Sequence, residues 1–204
     1  GWADKSPSAN HLTGNGTIDS SGTYLSRNCM DQTTGNTAWF CDIPMTLSGA
    51  ITAFVACYWP AGAGLNSQVY LSSGSDISGA TKSLFAYAGG GNNLAYIVGG
   101  PFGADSARSN NLTVLGSAGK YQLSYILEPT IGSNALHVNG VDQTMVYGGT
   151  SGNTNTTVFN GININQAGYP WHGRVGEIVL YNRQLNSTEV SQIEAYLKAK
   201  WGTP

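Results

Sequence analysis

Short apolar or alternating segments recur along this chain, separated by clusters of Gly, Asn, Ser and Thr at intervals of about eight to twelve residues. In the clearest segment, Tyr121, Leu123 and Tyr125 alternate with polar residues, as expected of a strand with one buried face. Ile126 interrupts its polar side, which indicates partial cover on the second face. Short strands with frequent turns are typical of a sandwich or barrel, so the sequence predicts an all-β fold.

The segments predicted as strands are 38–43, 51–59, 68–71, 84–88, 94–98, 112–115, 121–127, 134–138, 143–147, 156–160, 161–165 and 174–181. Asn139 and Gly140 fall between two of these segments, and both residues tolerate the positive φ that a type I′ turn requires. We therefore expect a tight β-hairpin at this point.

One helix is predicted in the last part of the sequence. Asn186 is the expected N-cap, Glu189 completes a capping box with it, and Leu185 can pack on Val190. Gly202 is expected to end the helix. The apolar stripe consists of Val190, Ile193, Leu197 and Trp201. A single one-sided helix in an all-β chain is expected to pack as a lid on a sandwich edge.

Charged residues are scarce, because the 204 residues include only 9 Lys+Arg and 11 Asp+Glu, with a net charge of -2. Without clustered cations the chain is not expected to bind nucleic acid. The longest apolar run, 50–60, is far shorter than the ~20 residues that span a bilayer, so we expect no membrane insertion. With 41% hydrophobic residues and 204 residues in all, the chain is expected to bury one core, so we predict a single domain over 1–204. We also expect this domain to be excised from a larger chain.

The three cysteines have neither metal-ligand spacing nor the number needed for a disulfide scaffold. Cys57 lies in an apolar segment and is expected to be a buried, inert thiol. A bridge between Cys29 and Cys41 would close a loop of about a dozen residues and stabilise the fold by roughly 3 kcal/mol. Whether this bridge forms is left open.

Three segments carry a resemblance to a known family. The stretch 171–185 reads WHGRVGEIVLYNRQL and is followed by the predicted helix, which ends in KWG. The stretches 2–12, WADKSPSANHL, and 136–141, LHVNGV, stand in the same order as in that family. Together they resemble the concanavalin A-like lectin/glucanase superfamily, in particular its laminin-G/pentraxin-like jelly-roll domains.

The resemblance implies an antiparallel two-sheet jelly-roll sandwich, closed by one short C-terminal helix. It also implies glycan binding, since such domains are often modules of secreted proteins or of phage tail and virion proteins. Some members carry calcium, and some relatives of the wider fold are glycan hydrolases or lyases.

No catalytic constellation is found in the sequence. Glycan hydrolysis needs two carboxylates flanking one bond, yet no two acidic residues are separated by a single residue. Glu177 is the carboxylate of the closing strand and is expected to be structural. His11, His137 and His172 are dispersed, and His137 should face away from its strand neighbours. We expect no enzymatic activity and no required cofactor, with Ca²⁺ bound by distant Asp residues as an open alternative.

Sugar recognition uses aromatic faces together with groups that hydrogen-bond to hydroxyls. The segment 99–111 combines an aromatic residue, an acid, an arginine and two asparagines in what we expect to be one long loop. The residues predicted to contact a ligand are Trp59, Phe102, Asp105, Arg108, Asn110 and Tyr169. For each of them, a packing or plain surface role is the competing interpretation.

The leading hypothesis is a non-catalytic module that recognises a glycan or a cell-surface receptor, as part of a phage tail, virion or extracellular adhesin. One alternative is a structural domain for assembly of a fibre or virion, with a homotrimer in the full-length protein. A divergent polysaccharide-degrading enzyme is the third hypothesis.

Overall fold

The structure, a computed structural model, describes residues 3, 5, 13–14, 17–21, 25–31, 39–48, 50–60, 68–72, 83–89, 92–98, 106–111, 113–148, 158–164 and 173–204. The strands in these residues are β1 (Thr13–Gly14), β2 (Thr17–Asp19), β3 (Cys29–Asp31), β4 (Trp39–Ser48), β5 (Ile51–Trp59), β6 (Gln68–Ser72), β7 (Ser83–Gly89), β8 (Asn92–Val98), β9 (Ser106–Ser109), β10 (Gly119–Leu127), β11 (Ala135–Val138), β12 (Val141–Asp142), β13 (Met145–Tyr147), β14 (Val158–Ile164) and β15 (Arg174–Tyr181). A 3₁₀ turn, Ile131–Ser133, precedes β11, and helix α1, Ser187–Trp201, follows β15. The predicted all-β class with one C-terminal helix is confirmed.

The strands form two antiparallel sheets. The eight-stranded sheet has the order β1-β4-β14-β6-β7-β8-β9-β13, and the seven-stranded sheet has the order β12-β11-β10-β5-β15-β3-β2. In the second sheet β5 lies between β10 and β15 and pairs with both along most of its length. The most apolar strand of the chain is therefore also one of the most central.

The larger core cluster contains residues of both sheets. Val55 of β5 and Leu123 of β10 are fully buried in it, and Ala95 of β8 and Ala107 of β9 join them from the eight-stranded sheet. The buried face expected for Tyr121, Leu123, Tyr125 and Leu127 is confirmed. The two sheets thus contribute to one apolar core. The jelly-roll order of the connections and the single-domain organisation stay predictions.

A second core cluster lies on the other side of the seven-stranded sheet, under α1. Phe54 of β5 and Ile126 of β10 pack there with Leu197 and Trp201 of the helix. The partial cover inferred from Ile126 is therefore confirmed. The expected position of the helix at a sandwich edge is wrong, because α1 lies over the central strands β5 and β10. Phe54 and Ala56 of β5 and Ile126 of β10 make this outer face partly apolar, so it needs cover.

The predicted helix ends are confirmed. Asn186 accepts a hydrogen bond from the backbone N–H of Glu189, and the Glu189 carboxylate accepts one from the Asn186 N–H, which is a capping box. Gly202 takes the left-handed conformation, with a φ of 65°, and donates its N–H to the Lys198 carbonyl. A residue with a Cβ is strained at this φ.

The predicted hairpin turn is confirmed as well. Asn139 and Gly140 have φ values of 54° and 75°, the signs that a type I′ turn requires. The second strand of the hairpin is β12, Val141–Asp142, and not the predicted segment 143–147, because Met145–Tyr147 forms β13 and pairs with β9 in the other sheet. The chain therefore leaves one sheet and enters the other directly after this turn.

Several strand predictions need correction. Residues 113–115 form a turn, in which Asn111 Oδ1 accepts hydrogen bonds from the backbone N–H and the hydroxyl of Thr113. The two strands predicted at 156–160 and 161–165 are one strand, β14, with a register shift between Asn160 and Ile162. The strands β1, β2, β3, β9 and β12 were not predicted, since segments of two to four residues carry almost no periodic signal.

The cysteine predictions have separate outcomes. Cys57 is fully buried in the larger core cluster, as expected. Cys29 is buried in β3 of the seven-stranded sheet, while Cys41 lies in β4 of the eight-stranded sheet. A bridge between Cys29 and Cys41 stays a prediction.

Candidate functional site

Strand register places four residues in one row across the eight-stranded sheet. Phe85 of β7 is opposite Tyr96 of β8, and Tyr96 is opposite Arg108 of β9. Arg108 is in turn opposite Val146 of β13. Residues directly opposite one another in antiparallel strands share a face of the sheet. We call Phe85, Tyr96, Arg108 and Val146 the outer row.

The outer row occupies the face of the sheet that is turned away from the larger core. Ala95 and Ala107, which precede Tyr96 and Arg108, are buried in that core, and successive residues of a strand alternate between faces. The small residues Ala95 and Ala107 therefore occupy the core side of the sheet, while the positions of the larger residues Tyr96 and Arg108 lie on the opposite face. This distribution reverses the usual preference for large apolar residues on the buried face.

A second pair on the same face extends the outer row. Tyr87 of β7 is opposite Leu94 of β8, two positions along from Phe85 and Tyr96. Three aromatic positions and one arginine thus lie on one sheet face. Aromatic rings pack on the C–H patches of sugars, and a guanidinium group donates several hydrogen bonds to oxygen atoms. The residue types are those that sugar recognition requires.

The residues predicted to contact a ligand differ in their placement. Arg108 lies within β9, in the outer row. Asn110 is exposed directly after β9, and its backbone N–H donates to the Thr144 carbonyl at 2.7 Å. The structure therefore brings Arg108 and Asn110 to the same strand and its end. The predicted site residues outside the described part of the chain are Phe102, Asp105 and Tyr169.

The predicted long loop over 99–111 is corrected for its second half. Ser106–Ser109 forms β9, which pairs with β8 on one side and β13 on the other. Arg108 is therefore held at a fixed register position of a sheet. A strand flanked on both sides positions a functional group more rigidly than a loop does.

Trp59 does not lie on an accessible rim. It is the last residue of β5, and its side chain is fully buried in the larger core cluster. Its position continues the alternation of Val55 and Cys57, which belong to the same core. The prediction that Trp59 lies at the rim of a loop is wrong, because the alternation of β5 continues through Trp59 and the strand ends only there. We exclude Trp59 from the candidate site.

Phe85, Tyr96 and Val146 were not predicted as site residues. Aromatic residues within strands most often pack in the core, so no site was expected at these positions. The alternation of Ala86 and Ala95 with the aromatic positions is the signal that could have identified them. This alternation identifies the site only when it is known which face of the sheet is buried, and the buried face is set by packing against the other sheet.

Glu177 of β15 anchors the helix. Its carboxylate accepts hydrogen bonds from Trp201 Nε1 at 2.8 Å and from the Tyr196 hydroxyl at 3.0 Å. Lys200 Nζ forms an ion pair with it at 2.9 Å. Burial of the ammonium group lowers the pKa of Lys200, but its hydrogen bonds with Tyr196 and Glu177 and the charges of both groups together outweigh burial and raise the pKa. Glu177 thus has the structural position that the family resemblance implied.

Ser124, His137 and Glu194 form a second polar cluster under the helix. Ser124 Oγ donates to Glu194 Oε1 at 2.7 Å, and His137 Nδ1 lies 2.8 Å from the same oxygen. The hydrogen bond with Glu194 raises the pKa of His137 against the effect of burial, and the charges of Glu194 and Asp142 add to it. The serine contacts the carboxylate and not the imidazole, so this is not a nucleophile–base pair. His137 faces away from Leu136 and Val138, as predicted.

Within the described ranges, no group of three or more His, Cys, Asp or Glu residues could hold a metal ion. The calcium alternative stays untested, since it was placed on distant Asp residues. In the same part of the chain, no helix combines the length and the apolar character needed to cross a bilayer.

No family model matches the sequence, and no curated protein matches it. Solved structures do match the fold. The binding domain of Paraclostridial Mosquitocidal Protein 1 has a TM-score of 0.65 and 12% identity, over 99% of this chain and 52% of that chain. A botulinum neurotoxin type C structure, from work on cell entry that depends on two ganglioside molecules, has a TM-score of 0.64 and 9% identity, over 96% and 48%.

Domain 4 of AbnA, a GH43 extracellular arabinanase from Geobacillus stearothermophilus, was solved in complex with arabinotriose. It has a TM-score of 0.64 and 12% identity, over 90% of this chain and 88% of that domain. Our chain spans about half of the two toxin structures and most of the arabinanase domain. At identities this low, the matches show a shared β-rich fold.

Proposed function

We propose that this chain is a non-catalytic glycan-recognition module with a concanavalin A-like fold, belonging to an extracellular protein such as a phage tail, virion or adhesin protein. The observation that carries this proposal is the outer row. It combines aromatic positions and an arginine on a sheet face that the larger core does not use. Binding to a receptor glycan at a cell surface is the corresponding role.

The similar structures support this proposal through their own ligands. Two of them are described as toxin binding domains or ganglioside-dependent toxins, and the arabinanase domain carries arabinotriose. The AbnA domain, which this chain matches over most of its length, is a domain of an arabinanase and was solved with a bound sugar. A binding role on this fold needs no catalytic residues in the module itself.

Two carboxylates, Glu177 of the seven-stranded sheet and Glu194 of the helix, support the non-catalytic part of the proposal. Glu177 is engaged by Trp201 and Tyr196, and Glu194 is engaged by Ser124 and His137. Both carboxylates hold α1 against the sheet. Incubation with a panel of polysaccharides followed by a reducing-end assay tests this point, and reproducible turnover would overturn it.

A glycan array followed by titration calorimetry tests the binding role. We expect Tyr96→Ala to weaken binding of the selected glycan about tenfold or more, as the loss of a central aromatic contact does. Tyr196→Ala is the matched control, since Tyr196 is an exposed tyrosine on α1, which covers the seven-stranded sheet. Because the Tyr196 hydroxyl also contacts Glu177, a thermal melt of each variant verifies that it is folded. Equal affinity of the Tyr96→Ala variant and the wild type would remove the outer row from the binding site.

The assembly alternative predicts different behaviour. A structural domain would form a stable oligomer in sedimentation velocity and bind none of the arrayed glycans. Such a result would replace the proposed function.

A further inference from the structure

The tip of the hairpin between β11 and β12 joins an asparagine to a glycine. Asn139 and Gly140 are the two central residues of the turn, with φ values of 54° and 75°. Gly140 is exposed and Asn139 is half-buried. An asparagine followed by glycine is a reactive pair, because no side chain hinders the approach of the glycine nitrogen to the carboxamide carbon of the residue before it. The hairpin tip therefore carries a chemistry of its own.

The native turn keeps the two reacting atoms apart. In a type I′ turn the ψ of the first central residue is about 30°, which turns the following nitrogen away from the Cβ of that residue. The side chain of Asn139 is also held, since its Oδ1 accepts a hydrogen bond from the Gln122 N–H at 2.9 Å. The Asn139 N–H donates to the Gln122 carbonyl at 2.8 Å. Attack of the Gly140 nitrogen on Asn139 Cγ thus requires rotation about the Cα–C bond of Asn139 and opening of the turn.

The hairpin tip is suited to local opening. β12 contains two residues, Val141–Asp142, and is the edge strand of its sheet. Val141, which follows the turn, is 63% exposed, so little buried apolar area is lost when it separates from Val138. Segments with few buried contacts open at a free energy below that of global unfolding. The turn at Asn139 should therefore open far more often than the whole domain unfolds.

A second Asn-Gly pair of the chain provides an internal comparison. Asn160 and Gly161 lie inside β14, an interior strand between β4 and β6 of the eight-stranded sheet. Asn160 is itself opposite Thr46 of β4. Its backbone can rotate only when an interior strand separates from its neighbours, so this pair should react through much rarer openings. The third Asn-Gly pair, at 15–16, lies outside the described residues.

We propose that Asn139 is a site of spontaneous deamidation whose rate is set by opening of the hairpin tip. In the open turn, the Gly140 nitrogen gives its proton to hydroxide and bonds to Asn139 Cγ. The Cγ–Nδ2 bond then breaks, and the leaving nitrogen takes a proton from water to give ammonia. The resulting succinimide is hydrolysed by water at one of its two carbonyls, which yields aspartate or isoaspartate. The reaction needs only water, and the inference does not depend on glycan binding.

Peptide mapping by mass spectrometry, during incubation at mildly alkaline pH, tests the inference. Conversion at each Asn-Gly pair is followed in the native state and in urea that unfolds the chain. In urea we expect Asn139 and Asn160 to react at similar rates, since both precede glycine. In the native state we expect Asn139 to react about tenfold or more slowly than in urea, because only the open fraction reacts, and Asn160 to react more slowly still. An isoaspartate methyltransferase assay identifies the product.

One variant and one control test whether opening of the hairpin sets the rate. Val141→Gly removes the β-branched side chain opposite Val138 and should speed native deamidation at Asn139 several-fold, with an unchanged rate in urea. Ala118→Gly is the matched control, because it adds a glycine at an exposed bend outside the hairpin and should leave both rates unchanged. A thermal melt of each variant verifies that it is folded.

Several results would overturn the inference. Equal rates at Asn139 in the native state and in urea would show that the turn does not control the reaction. Native deamidation at Asn160 as fast as at Asn139, or a rate unchanged by Val141→Gly, would contradict local opening of the tip. Absence of conversion at Asn139 in urea would remove the chemistry itself. The glycan array and the Tyr96→Ala variant test the proposed function independently of these results.

Discussion

At the scale of single residues, Gly176 shows how tightly the closing segment is packed. The nearest heavy atom to an added Cβ at this position is Trp201 Cε3, at only 2.6 Å. The indole therefore lies directly against the backbone of β15, where its Nε1 reaches the neighbouring Glu177. Gly176, Glu177 and Trp201 are therefore parts of one contact between β15 and the end of α1.

Gly176→Ala is expected to destabilise the fold by about 1–3 kcal/mol, because the indole ring must shift and lose its hydrogen bond. Urea unfolding followed by tryptophan fluorescence measures this loss. Gly119→Ala is the matched control in a strand of the same sheet, since an added Cβ there would lie 3.9 Å from the Tyr121 ring. A loss at Gly176 no larger than that at Gly119 would contradict the packing argument.

At the scale of elements, α1 is held by its cap and by buried polar contacts with β5 and β10. The Thr52 hydroxyl of β5 donates to the Arg183 carbonyl and accepts from the Leu185 N–H, which fixes the chain as it enters the helix. Arg183 forms two hydrogen bonds with the Glu189 carboxylate. These bonds, with that of the Asn186 N–H, lower the pKa of Glu189 to about 2.

Asn186→Ala removes the acceptor at the start of α1 and should cost about 1 kcal/mol of stability. The free energy of unfolding in urea, measured at neutral pH, reports this change. Ser187→Ala changes the next residue, which is exposed and makes no cap, and should be nearly neutral. If both substitutions have the same effect, the cap does not contribute to stability.

The contact of His137 with Glu194 predicts a dependence of stability on pH. The pKa of His137 is raised in the folded state above its ordinary value of 6.5, so its stabilising effect is complete below pH 6.5 and is lost as pH rises through the raised pKa. The charged groups that act on it are Glu194 of α1 and Asp142 of β12, and both favour the protonated ring. Since 22% of the His137 side chain is exposed, we expect an effect of about 1 kcal/mol.

Unfolding free energies at pH 5.5 and pH 8.5 measure this effect, and an NMR titration of the imidazole reports the pKa of His137 directly. In Glu194→Gln the ring loses its main partner, so the pKa of His137 should fall and the difference between the two pH values should shrink. A pKa of His137 that is the same in this variant and in the wild type would contradict the assignment.

At the scale of the whole molecule, the seven-stranded sheet separates two apolar clusters. Val55 and Leu123 belong to the cluster shared with the eight-stranded sheet, and Phe54 and Ile126 belong to the cluster under α1. The central strands of the seven-stranded sheet are thus covered on both faces. The outer row belongs to the eight-stranded sheet and lies on its face that points away from the shared core. The stabilising face and the proposed binding face are separated by the thickness of the molecule.

Removal of residues 186–204 is expected to abolish cooperative folding. The helix buries Val190, Leu197 and Trp201. Burial of a large apolar side chain contributes about 1.5–3 kcal/mol to stability, so the sum for the three is comparable with the whole free energy of unfolding of a domain. Circular dichroism during heating, together with binding of a hydrophobic dye, detects the loss. A chain without Pro204 alone, an exposed residue, is the control. A truncated chain that still melts cooperatively would show that the helix is dispensable.

The sequence determined the elements whose signals are local. The bounds of β5 and β15, the turn at Asn139 and both ends of α1 could be predicted, because strand alternation, positive φ and helix capping depend on residues a few positions apart. The short strands at the sheet edges could not, since two to four residues carry too little pattern to separate them from turns.

Only the tertiary structure decided which of these elements meet. His137 and Glu194 are 57 residues apart, and Arg108 of the outer row meets Val146 through pairing of β9 with β13. The local sequence of β8 alternates small and large residues, but it does not say which set is buried, because Tyr96 and Ile97 are both apolar enough for a core. The pairing of the sheets decides this, since it places Ala95 and Ala107 in the core that both sheets share. The candidate site is therefore a product of sheet pairing, whereas the fold class is a product of the sequence pattern.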